Sequence, residues 1–536
     1  MTKTRDPSTF TSSPFFSLPN DWFKYALTCE AVRIRFKGLQ ATSGPNDKWW
    51  TLSCTSLGVL LVTINSGTLI IALPDLQRAL GTGLLQLVWV ILAYLISSTV
   101  LVLTGGRLSD LFGRKKGYLG AFALFGLASL GAGFSVDGTQ LILWRVLQGV
   151  GGALVFANAP ALVTDAFPRE QLGLAMGTNA MIGAIGLLVG PVLGGALVTI
   201  SWQWVFWFNV PLALVGGIWG TVVLRDPSER DCERGLDPIG TIAFVAGLTG
   251  LAYGISRGGL SGWDDTLTVA GLIVGVTLLP LFILIESRVK SPMLDLSLFG
   301  NRLVAAATAA AFINGLARFA LMFIFVFYFQ GAQGDDPILA GIKLAPMAFG
   351  MLVASPIAGI WADRHGSRLL ASTGMLVTAF GLALMTTLGS TSPYWHAAIY
   401  LGLTGIGSGV FMSPNTAAMM GTVETSRRGI AAGVRTMAQN IGAVISIALV
   451  LAIITAAIPQ SVLFKIFSGL ATGLHPTQLD PFINNMHTAL WILTGISLVG
   501  AVVSLLRPTD DAGTPGTRPD ASMVAEAIRE EIEATP

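Results

Sequence analysis

The sequence predicts an all-helical integral membrane protein of about fourteen spans: two related six-helix halves with two extra helices between them. Three observations carry this reading: an apolar composition, regularly spaced apolar segments, and a repeat shared by the two halves. Of 536 residues, 52% are hydrophobic and 12% charged, against roughly a quarter charged in soluble domains. So much apolar surface must face lipid. The net charge of +2 excludes the concentrated basic surface that a nucleic-acid partner requires. Cys29, Cys54 and Cys232 lack ligand-like spacing and read as structural thiols, with no disulfide framework, metal or cofactor implied. No secretory signal precedes the first span; a polar, basic tail does.

A span needs about 20 mainly apolar residues to cross the hydrocarbon. That ruler gives segments at 51–73, 86–105, 117–135, 140–164, 172–199 and 204–224, then, past the polar stretch RDPSERDCERGLDP, at 239–257 and 267–286. The rest fall at 303–330, 338–361, 369–390, 394–421, 429–458 and 484–506. The expected organisation is an N-terminal tail (1–50), a six-helix bundle (51–224), a linker with two extra helices (225–302), a second six-helix bundle (303–507) and a C-terminal tail (508–536). If the N-terminus is inside, only Arg78, Arg257, Lys343 and Lys465 of the 32 Lys and Arg fall outside, with Arg145 and Arg318 within spans. The positive-inside rule then places both termini in the cytoplasm. Residues 22–39 space Trp22, Cys29, Val32, Phe36 and Leu39 helically among basic residues; a membrane-surface helix and a disordered tail fit equally. Residues 521–533 have the composition of a short acidic helix.

The repeat begins in the loops. GRLSDLFGRKK (106–116) follows the second span and GIWADRHGSR (359–368) the tenth, so Gly106, Asp110 and Gly113 align with Gly359, Asp363 and Gly366. Gly149, Gly151, Gly173 and Gly177 likewise align with Gly405, Gly407, Gly429 and Gly433. Matched loops and helices favour two parallel halves over chance recurrence of glycine. The glycines permit a tight turn, Asp110 can face a helix N-terminus, and Arg114, Lys115 and Lys116 can hold the loop at the surface. The loop can thus serve as a gate, or its cations can simply fix topology.

Several polar side chains fall inside spans. Arg145, Gln148, Gly149 and Gly152 recur at i, i+3, i+4 and i+7, so they share one helix face. A membrane-embedded arginine normally faces the protein interior or a watery cavity. In the second half Asn314 and Arg318 form an i, i+4 pair, suited either to a cavity or to an arginine that snorkels to an interface. Asn65, Asn158, Asn179 and Gln439 are weaker candidates, since amides in spans often only join helices. Gly183, Gly186, Gly190 and Gly194 form a narrow stripe that admits close helix approach, and Pro191 beside it removes a backbone donor. His396 and His487 sit near span ends, His365 and His475 in loops, and none forms a metal-like cluster.

These residues resemble a known family. GRLSDLFGRKK is similar to the signature loop of the major facilitator superfamily, and Arg145 with QGVGG (148–152) to its fourth-helix motif. GLLVGPVLGG (186–195), containing Gly186, Gly190, Pro191, Gly194 and Gly195, resembles the antiporter motif of its fifth helix. WQWVFWFNVP (202–211) and SPMLDLSLF (291–299) resemble segments of its 14-span drug–proton antiporter branch. The resemblance runs from about residue 55 to 507 and implies a major facilitator fold, proton coupling through Arg145, and a moving hinge at the GPVLGG stripe. The second half lacks counterparts of both, since Leu401 aligns with Arg145 and no proline aligns with Pro191.

One departure matters. The family's first span usually carries an aspartate, in a pattern like LDxTIVNVALP. This chain reads INSGTLIIALP (64–74), with Asn65 in the acidic position and Gly67 in that of threonine. Asparagine does not titrate. Asp75 lies about 15 Å further along the helix, and Asp165 about 30 Å beyond Arg145, so neither replaces it.

The sequence therefore points to a secondary active transporter that exports small amphipathic molecules, driven by an ion gradient. The alternative is a facilitator, or an exporter of an endogenous lipid or metabolite, without proton antiport. A membrane enzyme or receptor is disfavoured: no loop holds a catalytic domain, Asp264 and Asp265 are poorly placed for acid–base work, and no GxxxxGK[ST] loop for ATP is present. The expected partners are a small-molecule substrate, the lipid bilayer of a bacterial plasma membrane and, through the family, protons. A monomer is expected.

Overall fold

A computed structural model describes residues 47–168, 171–225, 237–289, 292–423, 428–456, 458–468 and 476–508. The tail segments 22–39 and 521–533, the stretch 226–236, Cys29, Cys232 and His475 lie outside the described residues. The described chain is helical throughout, without strands. In order run α1 (Asp47–Leu80), α2 (Leu84–Phe112), α3 (Arg114–Gly133), α4 (Gly138–Ala166), α5 (Leu172–Ile200), α6 (Trp204–Val223), α7 (Pro238–Ser261) and α8 (Thr266–Glu286). There follow α9 (Arg302–Ala332), α10 (Pro337–His365), α11 (Ser367–Met385), α12 (Tyr394–Thr422), α13 (Arg428–Thr455) and α14 (Pro476–Leu506). Thirteen of these are long and apolar enough to cross a bilayer. The exception is α3, which opens on Arg114, Lys115 and Lys116 and is diluted by glycine; it still packs as a fourteenth helix between α4 and α6. The last span starts earlier than expected, at Pro476, and a short helix, Gln460–Phe467, precedes it.

Local chemistry sets the helix starts. Asp137, Asp237, Asp265 and Asp336 each accept a hydrogen bond from a first-turn N–H, as Asn301 does for α9. Such caps each stabilise a helix by about 0.5–2 kcal/mol. Asp265 also pairs with Arg257 at 2.7 Å, so the aspartate of the Asp264–Asp265 pair acts as a cap. The last turn of α9, Phe327–Ala332, widens to a π-helix, a form that requires the surrounding packing to sustain it. There Phe327 stacks against Phe467 of the short helix with ring centres 4.1 Å apart.

The helix pairings repeat between halves. In the first, α1 packs on α4, α5 and α6, while α3 packs on α4 and α6 and α2 on α4. In the second, α9 packs on α12, α13 and α14, while α11 packs on α12 and α14 and α10 on α12. The halves meet along two related seams, α5 with α10 and α2 with α13. The extra pair, α7 and α8, pack on each other, and α7 leans on α2 and α13 beside the second seam. Outward-facing Ile273, Val276 and Ile283 on α8, with Ile218 and Val222 on α6, Phe349 and Ile357 on α10 and Val499 on α14, are exposed. This is how a bundle meets lipid.

The repeated turns have one geometry. Gly113 (φ +104°) joins α2 to α3 and Gly366 (φ +82°) joins α10 to α11, and each donates its N–H four residues back, to Ser109 and Ala362. Gly106 lies one turn and more before the first bend on α2, and Gly359 likewise on α10, where a Cβ would meet Ser413 Oγ at 2.7 Å. Asp110 and Asp363 sit on the helix ends three residues before each bend; their side chains are outside the described ones. A residue other than glycine in this backbone region costs about 1–3 kcal/mol. Gly113→Ala and Gly366→Ala should therefore each lower unfolding stability by about that amount, read as a drop in Tm of the detergent-solubilised protein; an unchanged Tm would contradict the strain.

The Arg257 guanidinium and the Thr268 N–H hold the Asp265 carboxyl down at about 2. A depressed carboxyl stabilises the fold above its unfolded value, near 4, and this contribution is lost as pH falls towards about 2. Asp265→Asn keeps a cap but removes the charge. Its Tm deficit should be present at pH 7 and shrink between about pH 4 and 2; a deficit independent of pH would exclude the ion pair as its source.

Candidate functional site

The face of Arg145 and Gln148 expected from spacing is the centre of a buried network in the first half. Arg145 is 1% exposed. Its Nε donates to the Val90 carbonyl at 2.9 Å, an Nη1–H donates to Gln148 Oε1, and the guanidinium carbon lies 4.2 Å from the centre of the Tyr94 ring. Gln148 Nε2 donates to Ser129 Oγ at 2.7 Å and to Asn65 Oδ1 at 3.1 Å. The same Asn65 oxygen accepts from Asn209 Nδ2 at 3.3 Å. Five helices are thereby joined: α1 through Asn65, α2 through Tyr94 and Val90, α3 through Ser129, α4 through Arg145, and α6 through Asn209. No carboxylate among the described residues hydrogen-bonds to any member. Arg145 is a cation whose donors meet neutral acceptors and a ring face.

Asn65 therefore does more than fill the acidic position. Its oxygen takes two donors, whereas its Nδ2 is buried without a partner. An aspartate would keep both hydrogen bonds and forfeit none.

The glycine stripe of α5 packs on α1. A Cβ on Gly186 would strike Thr63 Oγ1 at 2.1 Å, on Gly190 the Cα of Gly67 at 2.9 Å, and on Gly194 the backbone of Thr68 at 2.6 Å. Gly67, which stands where the family has threonine, meets Gly190 and Pro191 in return. The next residue turns the other way: a Cβ on Gly195 would lie 2.4 Å from the Pro337 carbonyl of α10, across the seam. A Cβ on Gly341 of α10 would likewise lie 2.4 Å from the Pro191 carbonyl. Near this end Gln330, in the π-helical turn of α9, donates to the Ile71 carbonyl of α1 at 3.0 Å. The halves thus touch backbone to backbone at the end opposite Gly113 and Gly366.

The second-half pair separates. Asn314 Nδ2 points to Met375 Sδ of α11 at 3.5 Å. Arg318, one turn on, faces α10, with Nη1 4.0 Å from Met351 Sδ and its guanidinium 4.5 Å from the centre of the Phe319 ring. Arg318 is 8% exposed and its Nε has no partner. It lines a cavity of about 30 Å³ with Ala184 and Leu187 of α5, Met347 and Met351 of α10, and Ser408 of α12.

Asn158 lies elsewhere, donating to Ser109 Oγ and the Leu154 carbonyl, each at 2.8 Å, so it ties α4 to the end of α2 near the loop. Arg114 reaches both oxygens of Asp165, at 2.7 and 2.8 Å. Asn179 accepts from Ser56 at 2.8 Å and joins α5 to α1. His487 contacts the Leu388 carbonyl at 2.7 Å. Gln439 brings only its backbone, to which Gly315 allows close approach. Several participants went unread in the sequence, Tyr94, Ser129 and Gln330 among them. Asn209 stands inside the WQWVFWFNVP motif and could have been found there; Ser408 gave no signal. Arg435, grouped with surface cations, lies within α13, half-buried, with Nε unpartnered.

A profile of the Major Facilitator Superfamily matches residues 55–290 and 307–531. A tetracenomycin C resistance and export protein of Streptomyces glaucescens is 30% identical over 395 residues, 74% of this chain and 73% of its own. A puromycin resistance protein of Streptomyces alboniger is 31% identical over 493 residues, 89% of this chain and 96% of its own. Among solved structures, a bacterial homologue of the human lysosomal transporter Spinster superposes with a TM-score of 0.63 at 13% identity, covering 87% of this chain and 97% of that one.

Amide hydrogen bonds between membrane helices average about 0.6 kcal/mol, but leaving buried polar groups unsatisfied costs about 1–3 kcal/mol. Gln148→Leu would strand a donor of Arg145 and weaken Asn65 and Ser129 at once, so the second figure governs. The expected loss is about 1–3 kcal/mol, measured by denaturant unfolding in detergent. A loss near the pairwise average would show that water or rearrangement replaces Gln148.

Proposed function

The chain belongs to the major facilitator superfamily, in its 14-span drug-efflux branch, and from that premise we propose that it exports small amphipathic molecules by alternating access, driven by an ion gradient. The observation that carries this is the pair of seams. The two halves are internally cross-braced, yet meet through α5 with α10 and α2 with α13. Rocking across those seams exposes a central site to one side of the bilayer at a time. The multi-pass protein sits with Gly113, Gly366 and both termini on the cytoplasmic side, where the basic residues concentrate. Arg114 holding Asp165 and Asn158 holding Ser109 then brace that side of the first half. The resistance and export relatives support outward transport of drug-like cargo.

Coupling is the finer question. Asn65 cannot carry a proton, and Arg145 has its donors engaged. This favours, as second reading, transport of a neutral or anionic metabolite without proton antiport. Flux in proteoliposomes separates the two, with puromycin and tetracenomycin C as first probes. Export through the wild type should rise several-fold under an imposed pH or electrical gradient; flux indifferent to both would remove the gradient from the mechanism. Asn65→Asp should fold, since it keeps both hydrogen bonds, and should gain or steepen a dependence on the pH gradient. A mutant with the wild-type pH response would show that this position plays no part in coupling.

A further inference from the structure

We propose that the cavity at Arg318 binds the acidic group of an amphipathic organic anion, a carboxylate or sulfonate carried on an apolar body. The proposal rests on the export reading and names its substrate class. The two deeply buried arginines of the transport region differ in one respect. Arg145 donates from Nε to a carbonyl and from Nη1 to an amide oxygen, and lies over a ring. Arg318 meets a thioether at 4.0 Å and its neighbour's ring, and leaves Nε with no partner at all. A second unpartnered donor, the buried Ser408 hydroxyl, lines the same cavity. A fixed cation and a hydroxyl offered together call for an acceptor that is charged and has more than one oxygen.

The rest of the wall sets the remainder of the ligand. Leu187, Met322, Met347 and Met351 line the cavity with Arg318, and methionine adapts its shape to varied apolar and aromatic bodies. No acidic side chain lines the cavity, so a cationic ligand would meet uncompensated repulsion. The volume of about 30 Å³ is that of one water-sized group. It is too small for a carboxylate or sulfonate with its body in the state described, so binding requires the walls to part. Those walls come from both halves, Ala184 and Leu187 from α5 and the others from α9, α10 and α12. Occupancy of this site is accordingly tied to the seam that must open.

The test compares fluorescein, an anion, with rhodamine 123, a cation on the same xanthene frame. In proteoliposomes the wild type should move fluorescein. Arg318→Gln should raise its KM at least tenfold, Arg318→Lys should recover part of that loss because charge is kept without the planar fork, and rhodamine 123 should not follow this order. An unchanged KM in Arg318→Gln would overturn the proposal. Should that variant fail to fold, the wild type decides: in chloride-free buffer fluorescein should raise its Tm and rhodamine 123 should not. Stabilisation by chloride alone, or by neither dye, overturns the organic-anion site. Fluorescein binding without flux would sink the export reading and leave the site standing, whereas rhodamine 123 flux with fluorescein inert would do the reverse.

Discussion

The close approach of α1 and α5 is the contact on which the first half and its seam both depend. In a bilayer the lipid tails are as apolar as leucine, so helices gain little from hiding apolar side chains from one another. What remains is van der Waals packing, and that needs small residues. Gly67 against Gly190, and Gly194 against Thr68, bring the two backbones within reach. Because α5 is held so tightly on one side, its other side presents Gly195 in a fixed position to Pro337 of α10. A Cβ at position 67 would meet the Pro191 ring at 2.9 Å and Gly190 Cα at 3.0 Å, so glycine there allows this approach of α1 and α5.

Charge imposes the second constraint. An arginine within a span is tolerated when protein groups take over from water. Around Arg145 a carbonyl, an amide oxygen and a ring face do so, neutral partners drawn from α2 and α4. Around Arg318 they do not. The difference reverses the emphasis that the fourth-helix motif suggests: the motif arginine is bound within the structure, and the arginine with spare donors lies in the other half.

Much of the architecture was legible in the sequence because membranes simplify the reading. Span length, loop cations and the Gly–Asp–Gly repeat are one-dimensional signals, and the helices follow them closely. The span read at 117–135 is a helix, but it begins at Arg114, and the three cations of its first turn with its glycines leave it less apolar than the other thirteen. The site was half legible. Spacing on α4 placed Arg145 and Gln148 on a common face, and both do join one network with Asn65. Asn314 and Arg318, though one turn apart on α9, reach different neighbours, Met375 on α11 and Met351 on α10, so common spacing did not make them one site. Ser408 became visible only when α12 was set against α9, since no local pattern marks a serine that faces a cavity in another layer.

The asymmetry between halves follows from these contacts. With asparagine at position 65 the first-half network contains no group that changes charge near neutral pH, so a proton cannot loosen it. Its hydrogen bonds also all lie within that half. Along the seam of α5 with α10 and the contacts beside it, the halves meet at Gly195 and Gly341, at Gln330 with Ile71, and at the cavity beside Arg318. Only the last of these combines residues from both halves with an unsatisfied cation. A ligand that neutralises it changes the energy of the seam directly, and differential interaction with two states is what moves an equilibrium between them. On the proposed reading, the first half holds its arginine within its own hydrogen bonds and the second half supplies the charge to which cargo couples.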